Sequence, residues 1–552
     1  MDIISEVNRA VGYSKNKEYK KAEKIYLEIL KHDEKNSVVL SLLGLLYMNI
    51  CQFKKAEKYL EEALTIKSSK ATLEGLGIVK SYLGKDSEAV KYFEKIISDT
   101  KSFEAYDRYI KTLVNLKENS KAYELSEKCY NLYPMKPESL NNLAFVGIHA
   151  GRLKEAFNYG NQLIKQYPKY PDGWLTFGMI LEILYHDDIH AGECFKMAYN
   201  LGAKEAGTYN LAVNASKRNL YDKALYYAKK LKKYNPTDSS IDFLLANIYL
   251  KTRRFKQGMK HYVSYVYRHP QNDKKNPATK LKRLWDGGRY KDETIFVFCD
   301  QGIGDGLMFI RYIPFLEKYF KKIKIMASDK MIDLLKRSFK SHKRITFYPV
   351  SRTFPRYDKS VILSTLPYKL KMYYDNIPSA DKYIIADEGL VKKYSDKINS
   401  DKLKVGICWE AGGTGWRELL NRTLNISLYE PFLKIKNVQF YSLQVNPTMN
   451  NYKNYDLITL GEGFKNFDDT AGAVSNLDLV ITVDTSVAHL AGGLGIKTFM
   501  LLPYCPDWRW FDNDKKSEWY NSLTIFKQTN PQSWDEPVND IATELAKMIK
   551  EK

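Results

Sequence analysis

Residues 478–495 read DLVITVDTSVAHLAGGLG, and the chain continues as IKTFMLLPY to Tyr504. An apolar run is broken by Asp484, Thr485 and His489 and then closed by glycines. In a membrane-like stretch those polar residues would be accidental. In a strand that turns into a helix they would all point into a cleft. A bilayer crossing needs about 18 or more uncharged apolar residues, and the chain has no such run, which favours the second reading. LVITV is then a buried strand, and the side chain of Asp484 or Thr485 is suited to accept the first helical N–H bonds. SVAHLAGGLG is a helix that stops at glycine. Its N-terminus offers unpaired N–H groups and the positive end of the helix dipole, a seat for a diphosphate. His489 lies one turn in, on the face toward that seat.

The flanking sequence repeats the pattern. TIFVFCD (294–300), IKIMAS (323–328), VILSTLP (361–367), KVGICWEAGG (404–413), VQFYSLQ (438–444), LDLVITVD (477–484) and IKTFMLLP (496–503) are short apolar runs separated by helical stretches. Such alternation predicts a parallel α/β sheet. A split near residue 395 predicts two Rossmann-like lobes, 285–395 and 396–552, with ligands at the carboxyl ends of their strands. A second polar turn, CDQGIGDGLMFIRY (299–312), ends a strand at Asp300 and opens a helix near Asp305. Gly302, Gly304 and Gly306 let a ligand approach the backbone, although the spacing matches neither GxGxxG nor a P-loop. On the residues alone, Asp305 reads either as a general base at the cleft or as a helix N-cap.

The first half has another period. A small residue follows a polar turn at Ala22, Ala56, Ala89, Ala122, Ala156, Ala191, Ala224 and Gly258, at intervals of 33 to 35 residues. Twelve residues further on, Pro134, Pro168, Pro236 and Pro270 mark where a second helix must stop. Gly44 and Gly77 lie twelve residues before the small position, where two helices cross closely. Four residues after it stands a large side chain, as in Tyr26, Leu60, Phe93, Phe195 and Tyr262, while Ser126, Gly160 and Ala228 depart and loosen their repeats. The period and landmarks resemble the tetratricopeptide repeat. They predict an α-solenoid of about eight repeats over 1–272, a groove for a protein or peptide partner. HDDIH (186–190) spaces two histidines for a metal, but its place at a repeat turn makes it a solvated loop, so no metal site is expected.

Composition bounds the rest. At 552 residues the chain exceeds one core. The start, MDIISEVNRAVGYSKNKEYK, lacks the apolar core of a signal peptide. Six scattered cysteines with no CxxC suit a reducing cytoplasm, and that is the expected location. The net charge of +21 would fit a nucleic-acid groove, but basic runs such as KKNPATKLKR (274–283) are short. Lysines spread over a solvated surface account for the charge, and nucleic acid is not an expected partner.

Taken in order, QGIGDGLMFIRYIP, DKSVILSTLP, KVGICWEAGG, NRTLNIS, FYSLQ, FDDTAGAVSNLDLVITVDTSVAHLAGGLG and LLPYCPDWRWF with SEWYNSLTIFKQ resemble bacterial tetratricopeptide-linked glycosyltransferases, distantly similar to the heptosyltransferase family. The resemblance implies a GT-B fold after the solenoid, a nucleotide-sugar donor held mainly by the C-terminal lobe, and neither metal nor other cofactor. It implies Asp305 as catalytic base. It assigns donor binding to Asp484, Thr485, Ser486, His489, Arg422 and Gln444, with Gly304, Arg417, Asp507, Trp508 and Arg509 as further sugar or phosphate contacts. The chain departs from relatives in carrying Asp300 before Gln301 and in the stretch EAGGTGWRELLNRT. Its first lobe is short, so the last repeats are expected to build part of the acceptor site. The expected activity is inverting transfer of a sugar to a hydroxyl, with the repeats recruiting a protein such as flagellin or another surface protein. Transfer to a glycan or lipid-linked saccharide, and a scaffold that has lost activity, are the alternatives.

Overall fold

The small residue that recurs through the first half is where paired helices touch. A computed structural model describes residues 2–99, 102–268, 277–300, 302–351, 353–373, 376–378, 382–412, 422–447, 450–511 and 515–551. Between Ile3 and Arg268 it holds sixteen helices, which form eight successive hairpins. Ala22, Ala56, Ala89, Ala122, Ala156, Ala191 and Ala224 are wholly buried in the first turn of the second helix of the first seven hairpins, and Gly258 holds that place in the eighth. The expected close crossings are present: a Cβ on Gly44 would lie 2.6 Å from Leu60 Cγ, and one on Gly77 2.7 Å from Phe93 Cε1. The large side chain of the second helix thus sits directly on the glycine of the first. Departures from the pattern are closed rather than loose. At Gly160 the vacant space is filled by Ile180 and Phe177, and the Ser126 hydroxyl donates to the Ala122 carbonyl at 2.8 Å. Pro134, Pro168 and Pro236 each stand two residues beyond a helix end, whereas Pro270 falls outside the described residues. In HDDIH, Asp187 caps the helix Asp188–Asn200, and its carboxylate meets His190 Nδ1 at 2.7 Å. Those groups serve the turn.

The chain divides into two compact units, Met1–Leu211 and Ala212–Lys552. The division falls inside the helix Lys204–Lys217, well before the 272–285 junction expected from the repeats. The reason lies in the last hairpin, Ser239–Lys251 and Phe255–Arg268. Its Leu250, Phe255, Met259, Tyr262 and Val266 belong to the same buried cluster as Trp285, Ile295 and Leu307 of the α/β region.

That region holds two parallel sheets. The first contains β1 (Tyr290–Phe298), β2 (Phe320–Ala327), β3 (Ile345–Pro349) and β4 (Lys359–Ile362), in the order β3-β2-β1-β4. The second contains β5 (Leu403–Cys408), β6 (Val438–Ser442), β7 (Leu457–Thr459), β8 (Leu479–Val483), β9 (Thr498–Leu502) and β10 (Leu523–Lys527). Its order, β7-β6-β5-β8-β9-β10, is that of a doubly wound sheet, whose direction of winding reverses between β5 and β8. The expected strands all form, and the structure adds β3, β7 and β10. The C-terminal helix Asp535–Glu551 returns to this sheet and buries Val538, Ile541 and Leu545 against it. All six cysteines are unpaired. Among the described residues no helix is long and apolar enough to cross a membrane.

Candidate active site

Every residue of LVITV is buried, and the helix Ser486–Leu494 starts where the strand stops. Thr485 caps it, its hydroxyl accepting from the Val487 N–H at 3.2 Å, and Gly495 ends it in the left-handed conformation at φ 75°. Asp484 is therefore released from capping. Its backbone carbonyl accepts from Arg422 Nε at 2.8 Å and Nη2 at 2.5 Å, and its carboxylate lies 3.4 Å from the same guanidinium. Burial pushes the Asp484 carboxyl above its usual range, with Arg422 pulling against the shift.

The second polar turn meets this one. Its helix spans Ile303–Phe309, and Gly302 occupies the N-cap position. Asp305 is thus in the first turn and does not cap. A Cβ on Gly304 would lie 2.8 Å from His489 Cδ2 and 3.4 Å from the Ser486 Cα. The glycine is what allows the two helices to approach. His489 is 4% exposed, pairs through Nδ1 with the Tyr520 hydroxyl at 2.8 Å, and stacks on Trp510 with ring centres 5.2 Å apart. Burial, and then the cations Arg509, Arg311 and Arg422, hold its pKa down to about 3, so the ring is neutral.

Gly304, Asp305, Arg422, Asp484, Ser486 and His489 line one cavity of about 980 Å³. It opens at the carboxyl ends of β5 and β8, the switch point of the second sheet. The last hairpin also lines it, through Phe243, Asn247, Lys251, Tyr262 and Tyr265. Asp507 and Arg509 reach the cavity, but Trp508 does not: it is 1% exposed and packs edge-on against Tyr262. Gln444 lines the cavity with its amide already committed. Its Oε1 accepts from the N–H groups of Trp409 (3.2 Å) and Glu410 (3.0 Å), and its Nε2 donates to the Glu410 carbonyl at 3.2 Å, which ties the end of β5 to the end of β6. Arg417 lies outside the described residues.

Sequence reasoning passed over three groups. Glu410, buried at the end of β5, accepts from Trp409 Nε1 at 3.1 Å and lines the cavity. Arg311, in the FIRY run, donates to the Trp519 carbonyl at 2.5 Å and to the Tyr383 hydroxyl at 2.9 Å. Tyr520 orients His489. A carboxylate directly after a buried strand was a signal for Glu410. The other two depend on contacts across about 200 residues of chain or on a ring 31 residues away, for which sequence spacing carries no sign.

No protein-family model matches the chain. Over 576 aligned residues, covering 99% of this chain and 90% of the relative, it is 21% identical to Protein FlbA of Caulobacter vibrioides (strain ATCC 19089 / CIP 103742 / CB 15). Over 187 residues it is 28% identical to the human Protein O-mannosyl-transferase TMTC1, a match that covers 33% of this chain and 21% of that protein. Solved structures with likeness include a tetratricopeptide repeat protein from Parabacteroides merdae, 13% identical, with TM-score 0.41 over 44% of this chain and 97% of that one. Another is the TPR protein TTC0263 of Thermus thermophilus, 19% identical, with TM-score 0.30 over 31% of this chain and 95% of that one.

Proposed function

We propose that the chain is a glycosyltransferase of GT-B-like organisation, moving a sugar from a nucleotide-sugar donor to an acceptor hydroxyl with inversion, and that its repeats recruit a protein acceptor. The observation that carries this reading is the meeting of two polar turns at one cavity: a half-buried carboxylate, Asp305, lines it together with a helix N-terminus flanked by Arg422 and His489. The diphosphate of the donor sits at that N-terminus, where N–H groups and the dipole favour an anion. The acceptor oxygen attacks the anomeric carbon from the opposite side and passes its proton to Asp305. The bond from that carbon to the diphosphate oxygen breaks, and the electron pair leaves with the oxygen. Arg422 and the helix end meet the charge that develops there, and the neutral His489 ring donates one hydrogen bond. The partial likeness to TMTC1, a protein O-mannosyl-transferase, supports a protein acceptor.

The test is calorimetry with a panel of nucleotide sugars on the wild type and on His489→Ala. One donor that binds the wild type and weakens by about tenfold or more in the variant, the worth of one hydrogen bond to a charged group, supports the reading. A folded wild type that binds none of them ends it.

A further inference from the structure

Arg509 stands among the expected sugar or phosphate contacts, but its geometry ties it to the candidate base. Its Nε donates to Asp305 Oδ1 at 2.6 Å and its Nη1 to Asp507 Oδ1 at 2.7 Å. The same Asp507 oxygen accepts the Arg509 backbone N–H at 3.0 Å, and the Arg509 carbonyl accepts from Trp519 Nε1 at 2.5 Å. The guanidinium lies 4.8 Å from the centre of the Trp508 ring, itself wedged against Tyr262 of the last hairpin. Backbone, carboxylate and ring therefore fix this cation before any ligand arrives. Only Oδ1 of Asp305 is engaged; Oδ2 makes no hydrogen bond among the described residues, and Asp305 borders the cavity.

We propose that Arg509 is the positioning residue of the base: it grips one oxygen of Asp305 so that the other meets the acceptor hydroxyl as a carboxylate. This rests on the transferase reading. Electrostatically, Arg509 is the main pull against burial, which still leaves the Asp305 carboxyl above its usual range. Burial drives the Asp305 carboxyl up, Arg509 and then Arg422 pull it down, and Asp507 pushes it up again. Around them stand Asp484 and the neutral His489 on the β8 side, Asp300 at the end of β1, and Tyr262, whose phenol is kept protonated by burial. Despite its own burial Arg509 stays charged, held by Asp305 and Asp507. Without Arg509, burial and Asp507 act on Asp305 with only Arg422 opposing them. The carboxyl then ionises at higher pH, and the acid limb of turnover moves toward neutrality. Lysine would restore the charge but not the fork that spans two carboxylates.

The experiment measures release of nucleoside diphosphate against pH, with saturating donor and a pool of serine- and threonine-centred peptides in water, for wild type, Arg509→Gln and Arg509→Lys. Donor affinity and melting temperature are measured on each. The expected result for Arg509→Gln is kcat lowered at least about tenfold, an acid limb at higher pH, and donor affinity within about twofold of wild type. Arg509→Lys should bring the limb back toward the wild-type position while kcat stays low. If Arg509→Gln weakens donor binding about tenfold and leaves the limb in place, Arg509 is a phosphate contact and the inference is wrong. Equal loss in both variants with a lowered melting point and no shift of the limb makes it structural, which also overturns it. A wild type that binds no nucleotide sugar, or binds one and releases no diphosphate, overturns the transferase reading itself.

Discussion

A buried imidazole ringed by arginines cannot hold a proton, and this decides what His489 does. Its neutral state means that it offers a directed N–H and no charge. The signal of His489 in isotope-labelled protein should show no titration between pH 5 and 8 in the ligand-free chain; an inflection near the ordinary imidazole value would refute this. In the proposed transfer Asp305 would have the opposite task, being ionised to take a proton. Asp305→Asn should lower diphosphate release by about 10²- to 10⁴-fold, the usual worth of a general base, with donor affinity nearly unchanged in calorimetry. A variant that keeps wild-type turnover would remove Asp305 from the mechanism. Both residues were visible in the sequence because each stands just past a strand, at a turn rich in glycine or hydroxyl side chains. What could not be seen was that Arg509 already holds Asp305, or that Gln444 spends its amide on the β5 backbone. Those facts depend on which loops the sheet order brings together.

The Ile303–Phe309 and Ser486–Leu494 helices touch through Gly304, and the contact leaves no room for a methyl group. Gly304→Ala should push His489 away from the cavity, weaken donor binding, and lower stability by about 1–3 kcal/mol, as overpacking does. Calorimetry and a thermal melt of the variant measure both. Gly77→Ala makes a comparable clash on Phe93 in the first unit. It should cost a similar amount of stability while donor affinity stays at the wild-type value. Periodicity is why these elements were legible. Alternating short runs gave the strands of both sheets, and the recurrence of alanine gave the hairpins. The strands that escaped, β3, β7 and β10, are short: ITFYP ends at a proline after four residues, LIT is three residues long, and LTIFK sits among polar neighbours. Trp508 misled for a different reason. Its neighbours Asp507 and Arg509 reach the cavity, and only packing on Tyr262 shows that the ring between them turns inward.

At the scale of the whole molecule, the repeat period and the compact units draw different borders. The period runs on to about residue 272, but the last hairpin lends its apolar faces to the α/β core. Burying Phe255, Met259, Tyr262 and Val266 contributes about 6–12 kcal/mol at roughly 1.5–3 kcal/mol each, which is the order of a domain's entire stability. A fragment of residues 204–552 should therefore stay soluble, melt cooperatively and bind donor as the full chain does. A fragment of residues 285–552 should aggregate or melt far lower. Gel filtration and calorimetry on the two fragments decide this, and a well-behaved 285–552 fragment would contradict it. Because each solenoid repeat leans only on its neighbours, modules before Leu211 are free to duplicate or drop out during evolution, altering the repeat surface without disturbing the α/β core. The last hairpin has no such licence. It is inherited with the α/β half, and a chimaera that exchanges repeats between related chains must be spliced upstream of Lys204.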